Sequence, residues 1–266
     1  MSPHQIERER GLKGRGGVGA DGVDEHLVSL VSPRSFPAEQ YRALRFIVEQ
    51  MHRDGALRVV AVTSPTPGDG KTTTAINLAG ALAQAPNLRV LLVEADLRRA
   101  SPTLADRLGL GSGGPGLVDA ILNPASSLTD VVRLHPRFAL SVLPAGQCPV
   151  AYYEILKSPR LGALLDEGRQ QYDYVIVDTP PAIVIPDCRV ISEWIDGFLI
   201  VVGAHKTPLR LVEETLKMVD PAKMLGVVFN GDDSPLSVYS GYGYGRYGYG
   251  RSHEDGRRRR WRWGRK

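Results

Sequence analysis

Short apolar runs alternate with helical patterns along most of the chain. The runs are rich in β-branched residues and are as long as single strands, while the segments between them carry apolar residues at helical spacing. Near-continuous apolar strands separated by helices predict an α/β fold with a mostly parallel sheet covered on both faces. The predicted strands are 58–64, 89–96, 138–146, 172–181, 197–204 and 224–231. The predicted helices are 37–51, 71–85, 158–170, 187–194 and 208–219.

The same pattern divides the chain into three segments. Residues 1–25 are glycine-rich and polar, which predicts a flexible leader. Strand and helix patterns fill residues 26–233 and stop there, so residues 234–266 are predicted to be a disordered tail. No apolar run approaches the roughly 20 residues of a membrane span. With only Cys148 and Cys188 as cysteines, the sequence favours a cytoplasmic protein with reduced thiols.

Positive charge is concentrated in the tail. Residues 234–266 contain nine Lys and Arg against two acidic residues, which is +7; the whole chain is +4, so residues 1–233 carry −3. The tail also spaces five tyrosines by glycines and ends in an arginine block with Trp261 and Trp263. Composition leaves three interpretations open: a nucleic-acid-binding arm, a membrane anchor, or a substrate of the protein itself. The acidic body offers no basic groove beside the arm, which disfavours nucleic acid.

The stretch VVAVTSPTPGDGKTTTAINLAGAL (59–82) predicts a phosphate-binding loop between a buried strand and a helix. Backbone N–H groups of the loop and of the first helical turn can hold phosphate oxygens, helped by the helix dipole. Lys71 would neutralise the β- and γ-phosphates, and the Thr72 hydroxyl would ligate Mg²⁺. The general pattern GxxxxGK[ST] would place glycine at Pro65, so this chain departs from it there. The predicted nucleotide-binding residues are Pro67, Gly68, Asp69, Gly70, Lys71, Thr72 and Thr73.

Two further strands end in carboxylates. VLLVEADLRR (90–99) places Glu94 and Asp96 on the same face, because side chains alternate along a strand. YDYVIVDTPP (172–181) carries Asp178 after four apolar residues, a position from which a carboxylate orients the water shell of Mg²⁺. The carboxyl edge of an open parallel sheet is where ligands bind. The three motifs in this order predict a P-loop nucleotide hydrolase or kinase.

These motifs resemble the Walker A, Walker A′ and Walker B motifs of bacterial tyrosine kinases (BY-kinases) of capsule and exopolysaccharide assembly. The resemblance covers roughly residues 26–233 and includes HLVSLVSPRSFPAEQYRALR (26–45), GLVDAIL (116–122), LPAGQCPVAYYEILKSPRLGALL (143–165) and GVVFNG (226–231). Cell-division and partitioning ATPases of the deviant Walker A type share much of this fold. Their phosphate loop carries an extra lysine where this chain has Ser64–Pro67, so the BY-kinases are the better match.

The resemblance implies a protein-tyrosine kinase that uses ATP and Mg²⁺, with Lys71, Glu94 and Asp96 as catalytic residues. Thr72, Asp96 and Asp178 would form the metal environment. The first acidic residue of Walker A′ is the expected acceptor of the tyrosine hydroxyl proton, and this chain has Glu94 where the family usually has aspartate. Glutamate reaches one methylene further, and phosphoryl transfer depends chiefly on positioning. The substitution therefore bears directly on activity.

The resemblance also assigns the tail and one helix. The tail tyrosines would be autophosphorylation sites in trans: Tyr239, Tyr242, Tyr244, Tyr247 and Tyr249. The helix at 37–51 carries the family's ExxRxxR pattern as Glu39, Arg42 and Arg45, which would contact neighbouring subunits in a ring that dissociates on phosphorylation. A transmembrane chain-length regulator is the expected partner and activator. The arginine block would hold the tail to anionic lipid, and thus the protein to the inner face of the plasma membrane.

Three functions for the whole protein follow. The first is a tyrosine autokinase that regulates polysaccharide polymerisation and export. The second is a P-loop ATPase adaptor that binds ATP and scaffolds the export complex without kinase chemistry. The third, a nucleic-acid-binding protein acting through the basic tail, is disfavoured by the acidic body.

Overall fold

The computed structural model describes residues 22–52, 57–98, 102–111, 113–147, 152–183 and 190–232. The two cysteines, the five tail tyrosines and the arginine block lie outside these residues. The segment boundaries expected near 25 and 233 therefore stay predictions.

A seven-stranded sheet forms the centre of the fold, with the strand order β3-β4-β2-β5-β1-β6-β7. Neighbouring strands are parallel except β3 and β4, which are antiparallel. The strands are β1 Val59–Thr63, β2 Val90–Glu94, β3 Arg133–Leu134, β4 Ser141–Leu143, β5 Tyr174–Asp178, β6 Gly197–Gly203 and β7 Met224–Asn230. All six strands expected from the apolar runs are present, and the α/β prediction is confirmed. The two-residue β3 was not predicted because it is too short to show a pattern.

Helices connect the strands and cover the sheet. They are α1 Val28–Val31, α2 Phe36–His52, α3 Lys71–Ala83, α4 Leu104–Arg107, α5 Leu117–Leu122, α6 Leu128–Val131, α7 Tyr152–Lys157, α8 Pro159–Gln171 and α9 Leu209–Met218. The helices expected at 37–51, 71–85, 158–170 and 208–219 correspond to α2, α3, α8 and α9. The one expected at 187–194 falls partly outside the described residues, and its described end contains a 3₁₀ turn, Ser192–Trp194. The other helices span at most six residues, so they show too little periodicity to be predicted.

Side chains of the buried strands alternate between the two faces of the sheet and pack into a separate hydrophobic core on each face. Val59 and Ala61 of β1 pack on the face covered by α5 and α8, whereas Val60 and Val62 pack on the face covered by α3. Helix α3 lies between the sheet and helices α1 and α2. Every residue of α3 except Thr73 is buried, which explains why this helix is apolar or small nearly all round. A helix held this firmly can place its first turn accurately.

Candidate active site

The ends of three central strands meet at one edge of the sheet. Strand β5 lies between β1 and β2, and its last residue, Asp178, pairs with Val62 on one side and with Glu94 on the other. The loop after β1 leads into α3, so the phosphate loop begins beside both acidic strand ends. The sequence places these motifs about 25 and 107 residues apart, and the parallel register brings them together.

The phosphate loop needs glycine at two positions. Gly68 and Gly70 have φ values of +81° and +99°, which only glycine adopts without strain. A Cβ on Gly70 would also overlap the side-chain amide nitrogen of Asn230. Gly70 is the N-cap of α3, and no side chain caps the helix there. The positive end of the helix dipole favours an anion at this position.

Residues at the ends of β6 and β7 form hydrogen bonds that stabilise the phosphate loop. Asp69 accepts hydrogen bonds from the Thr66 N–H at 2.8 Å and from the Thr207 hydroxyl at 2.7 Å. Lys206 Nζ donates to the Gly68 carbonyl at 2.9 Å, and Asn230 Nδ2 donates to the Asp69 carbonyl at 3.0 Å. The Asp69 side chain thus holds the loop shape.

Sequence reasoning missed Lys206, Thr207 and Asn230. The available signal was that β6 and β7 end at the same edge as β1, as parallel strands must. Pro67 and Gly68 are exposed at the tip of the loop.

A compact buried cluster forms where the loop meets the acidic strands. Lys71 Nζ lies 2.5 Å from Asp96 Oδ2 and 3.5 Å from Asp178 Oδ1. The Thr72 hydroxyl donates to Asp178 Oδ2 at 2.7 Å. Each of these four residues is at most 8% exposed, so the ammonium group offsets carboxylate charge that burial would otherwise make costly. The structure thus brings Lys71, Thr72, Asp96 and Asp178 together, while the roles that the sequence suggests for them stay predictions.

The donor set of this cluster fits Mg²⁺ carried by a nucleotide. Hydroxyl and carboxylate oxygens are the ligands Mg²⁺ prefers, and it usually combines one or two carboxylates with phosphate oxygens and water. Within the described part of the chain, no group of three His, Cys, Asp or Glu residues could hold a metal by itself.

Glu94 is oriented by backbone groups. Its Oε1 accepts from the Leu104 N–H at 2.7 Å, and its Oε2 accepts from the Ala145 N–H at 3.2 Å. The side chain is 2% exposed, and it ties the end of β2 to the first residue of α4 and to the loop after β4. Asp96, two residues on, is the carboxylate that contacts Lys71. The two acidic residues of this motif thus have different surroundings.

The ExxRxxR residues lie on α2, away from this cluster. Arg45 donates to Glu49 at 2.8 Å and to the Ala81 carbonyl at 2.9 Å, so it ties α2 to α3. Arg42 bonds to Glu39 and to the Pro33 carbonyl. The exposed large apolar side chains of this helix are Phe36, Phe46, Ile47 and Met51.

A family model described as an AAA domain matches residues 57–223. Over 224 residues, the chain is 34% identical to the tyrosine-protein kinase YwqD of Bacillus subtilis, an alignment that covers 84% of this chain and 92% of YwqD. The chain belongs to the bacterial tyrosine kinases. The resemblance drawn from the Walker motifs is confirmed.

Two further relatives show how much of a longer protein and of a solved kinase domain this chain matches. The succinoglycan biosynthesis transport protein ExoP of Rhizobium meliloti is 33% identical over 79% of this chain, which spans only 27% of ExoP. The solved BceF tyrosine kinase domain is 29% identical, with a TM-score of 0.69 over 86% of this chain and 89% of that domain. The chain therefore spans about a quarter of the length of ExoP and most of the BceF domain. Among the described residues, no helix is long and apolar enough to span a bilayer.

Proposed function

We propose that this chain is an ATP- and Mg²⁺-dependent tyrosine kinase whose substrates are the tyrosines of its own C-terminal tail. One observation supports this most directly: four side chains beside the phosphate loop are linked by successive contacts of 3.5 Å or less. In order, they are Asp96, Lys71, Asp178 and Thr72. That arrangement suits a bound nucleoside triphosphate and its metal ion.

The chain's own groups would do most of the work by positioning and charge neutralisation. Backbone N–H groups of the loop and of α3 would hold phosphate oxygens, and Lys71 would neutralise charge on the transferred phosphoryl group. Thr72, Asp96 and Asp178 would hold Mg²⁺, which supplies further neutralisation of that charge. The brace around Asp69 keeps the loop in this shape before the nucleotide arrives, so little reorganisation is needed.

Glu94 remains our candidate for accepting the tyrosine proton. Backbone N–H groups donate to both of its carboxylate oxygens. The donors also fix the orientation of the group, which offsets the flexibility of the longer glutamate side chain. The neighbouring carboxylate of Asp96 contacts Lys71 and is the proposed Mg²⁺ ligand, which favours Glu94 for this role.

Transfer would occur in trans between assembled subunits. Helix α2 supports assembly because it exposes four large apolar side chains along one side, next to Glu39 and Arg42. Arg45 would act mainly by holding α2 onto α3, since its guanidinium is bonded within the chain. The basic tail would bind an anionic membrane surface, where a transmembrane regulator of polysaccharide export would activate the kinase. The name of ExoP supports the link to polysaccharide transport.

A mixing experiment tests both the activity and its direction. One chain carries Lys71→Met with all tail tyrosines intact; the other is otherwise wild type with the five tail tyrosines changed to phenylalanine. After incubation with Mg·ATP, phosphotyrosine should appear on the Lys71→Met chain, as read by mass spectrometry. Neither chain should be modified alone. The unmodified wild-type chain, incubated alone with Mg·ATP, is the positive control. Phosphotyrosine on this control with none on the Lys71→Met chain in the mixture would contradict transfer in trans.

The ATPase adaptor is the second candidate function, and the burial of Glu94 under two backbone donors is the observation that favours it. It predicts nucleotide binding without phosphotyrosine, even in the presence of the membrane partner's cytoplasmic segment.

A further inference from the structure

Thr73 differs from the rest of α3 in being the residue of that helix that is not buried. It lies one position after Thr72, in the first turn that faces the phosphate loop. Its hydroxyl oxygen accepts a hydrogen bond of 2.9 Å from Arg107 Nη2. A guanidinium group can only donate, so the hydroxyl oxygen must act as acceptor and its proton must point elsewhere. Arg107 thereby sets the direction in which Thr73 can donate.

Arg107 is itself held at a defined place by the short helix α4. Thr103 and Asp106 form a reciprocal capping pair at the start of this helix. The Leu104 N–H is bonded to Glu94, the carboxylate at the end of β2. Beyond the helix, the Leu108 carbonyl is 2.9 Å from His135 Nε2. Hydrogen bonds therefore hold the four-residue helix α4 at both of its ends. Arg107, its last residue, has little freedom to move away from the phosphate loop.

The charge of Arg107 is balanced by Asp24 from the N-terminal segment. Arg107 Nη2 lies 2.7 Å from Asp24 Oδ2, and Nε donates to the same oxygen at 2.8 Å. The Asp24 N–H in turn donates to the Arg107 carbonyl at 2.9 Å. The side chains are 11% and 15% exposed, respectively, so this pair is screened little by solvent. Although burial acts to raise the pKa of Asp24, bonds from the His26 N–H and Arg107 outweigh it and lower that pKa.

We propose that Arg107 is a positioning residue for the nucleotide, which acts by turning the Thr73 hydroxyl proton toward a phosphate oxygen. Asp24 holds the guanidinium in place, so it contributes indirectly. This inference rests on the proposed nucleotide site. It extends that site beyond the three Walker motifs to α4 and to the segment before α1.

The test is a double-mutant cycle on the full chain, with a fluorescent ATP analogue and Mg²⁺ as the probe. Arg107→Met should weaken binding roughly tenfold, since a hydrogen bond to a charged group is lost and tenfold corresponds to about 1.4 kcal/mol. Thr73→Val, which can neither accept nor donate, should weaken binding by a similar factor. The double variant should bind the analogue no more weakly than the weaker-binding single variant, because both substitutions remove the same interaction between Arg107 and Thr73. Arg107→Lys should restore only part of the affinity, since one ammonium cannot reproduce the planar fork that bonds Asp24 and Thr73 together.

Arg169→Met is the matched control. Arg169 pairs with Asp196 at 2.5 Å and bonds to the Trp194 carbonyl, at the opposite edge of the sheet from the phosphate loop. It should lower the unfolding temperature and leave nucleotide affinity unchanged. If Arg107→Met behaves like this control, or if its effect adds fully to that of Thr73→Val, Arg107 is merely structural and the inference fails. If the wild-type chain binds no nucleotide while remaining folded, the proposed function itself fails.

Discussion

The Thr72 hydroxyl donates a 2.7 Å hydrogen bond to Asp178 Oδ2, joining residues 106 positions apart in the chain. This bond connects the first turn of α3 to the end of β5 at the carboxyl edge of the sheet. It places the Walker A and Walker B elements side by side. The predictions below depend on that arrangement.

Asp178→Asn should abolish most of the Mg²⁺ dependence of nucleotide binding. The amide oxygen can still accept from Thr72, but the negative charge that would orient the metal ion is gone. We expect affinity for Mg·ATP to fall roughly 10- to 100-fold, as for other changes around bound metals. The measurement is nucleotide affinity with Mg²⁺ and with EDTA. Asp173→Asn, at the start of the same strand, is the control and should respond to EDTA as the wild type does. An Asp178→Asn chain that still loses affinity in EDTA like the wild type would contradict this assignment.

Gly70→Ala should destabilise the protein by about 2–3 kcal/mol, because left-handed backbone strain is added to displacement of the Asn230 amide, which would lose its hydrogen bond to the Asp69 carbonyl. Gly111→Ala provides the comparison, since Gly111 has φ +70° and nothing within 4 Å of an added Cβ. It should cost only the backbone strain, about 1–2 kcal/mol. Urea unfolding measures both, and Asn230→Ala should recover part of the loss in the Gly70→Ala chain. Equal costs at the two glycines would show that Asn230 does not press on the loop.

Glu94→Gln should lower kcat for autophosphorylation far more than it lowers nucleotide affinity. The amide cannot accept a proton, and one of its ends can no longer accept a backbone N–H, so stability should also fall by about 1–3 kcal/mol. Glu167→Gln is a close control, because Glu167 accepts the N–H of Leu128, the first residue of α6, at 2.8 Å. It should reproduce the stability loss without the kinetic one. If the two variants lose activity equally, Glu94 only stabilises the fold and does not accept the tyrosine proton.

Stability should fall as pH decreases through the titration of His135. This ring is 4% exposed; its Nδ1 accepts the Arg137 N–H at 3.1 Å, which requires the unprotonated nitrogen. Burial, with a smaller contribution from the Arg137 charge, lowers its pKa below the usual 6.5 despite the Leu108 carbonyl. The unfolded chain therefore binds the proton first, so the stabilisation is present above about pH 6.5 and is lost below it. Unfolding temperatures of wild type and His135→Gln, measured between pH 5 and 8, should converge at low pH. A constant difference between them would exclude this titration.

The local order of strands and helices was largely determined by the sequence. Short apolar runs rich in β-branched residues, such as 59–63 and 197–203, favour buried strands, and GDGKT between a strand and a helix indicates a tight loop with glycine at positive φ. These features depend on neighbours along the chain, so they can be predicted without coordinates. The Walker residues and the kinase family were recognisable for the same reason. Helices of four to six residues were not, because their ends are set by single capping side chains such as Thr103.

Only the tertiary structure decided which side chains meet. The Asp69 brace depends on β6 and β7 ending beside β1, and the bond from Arg107 to Thr73 depends on α4 being tied to Glu94. Nothing in the spacing of these residues predicts the contacts, since long-range register follows from packing of the whole sheet. The same holds for Arg45, whose guanidinium bonds to the Ala81 carbonyl. The intersubunit role that the family resemblance implies for this residue stays a prediction. Sequence thus determined the elements and their chemistry, while packing determined the orientation and the partners of each functional group.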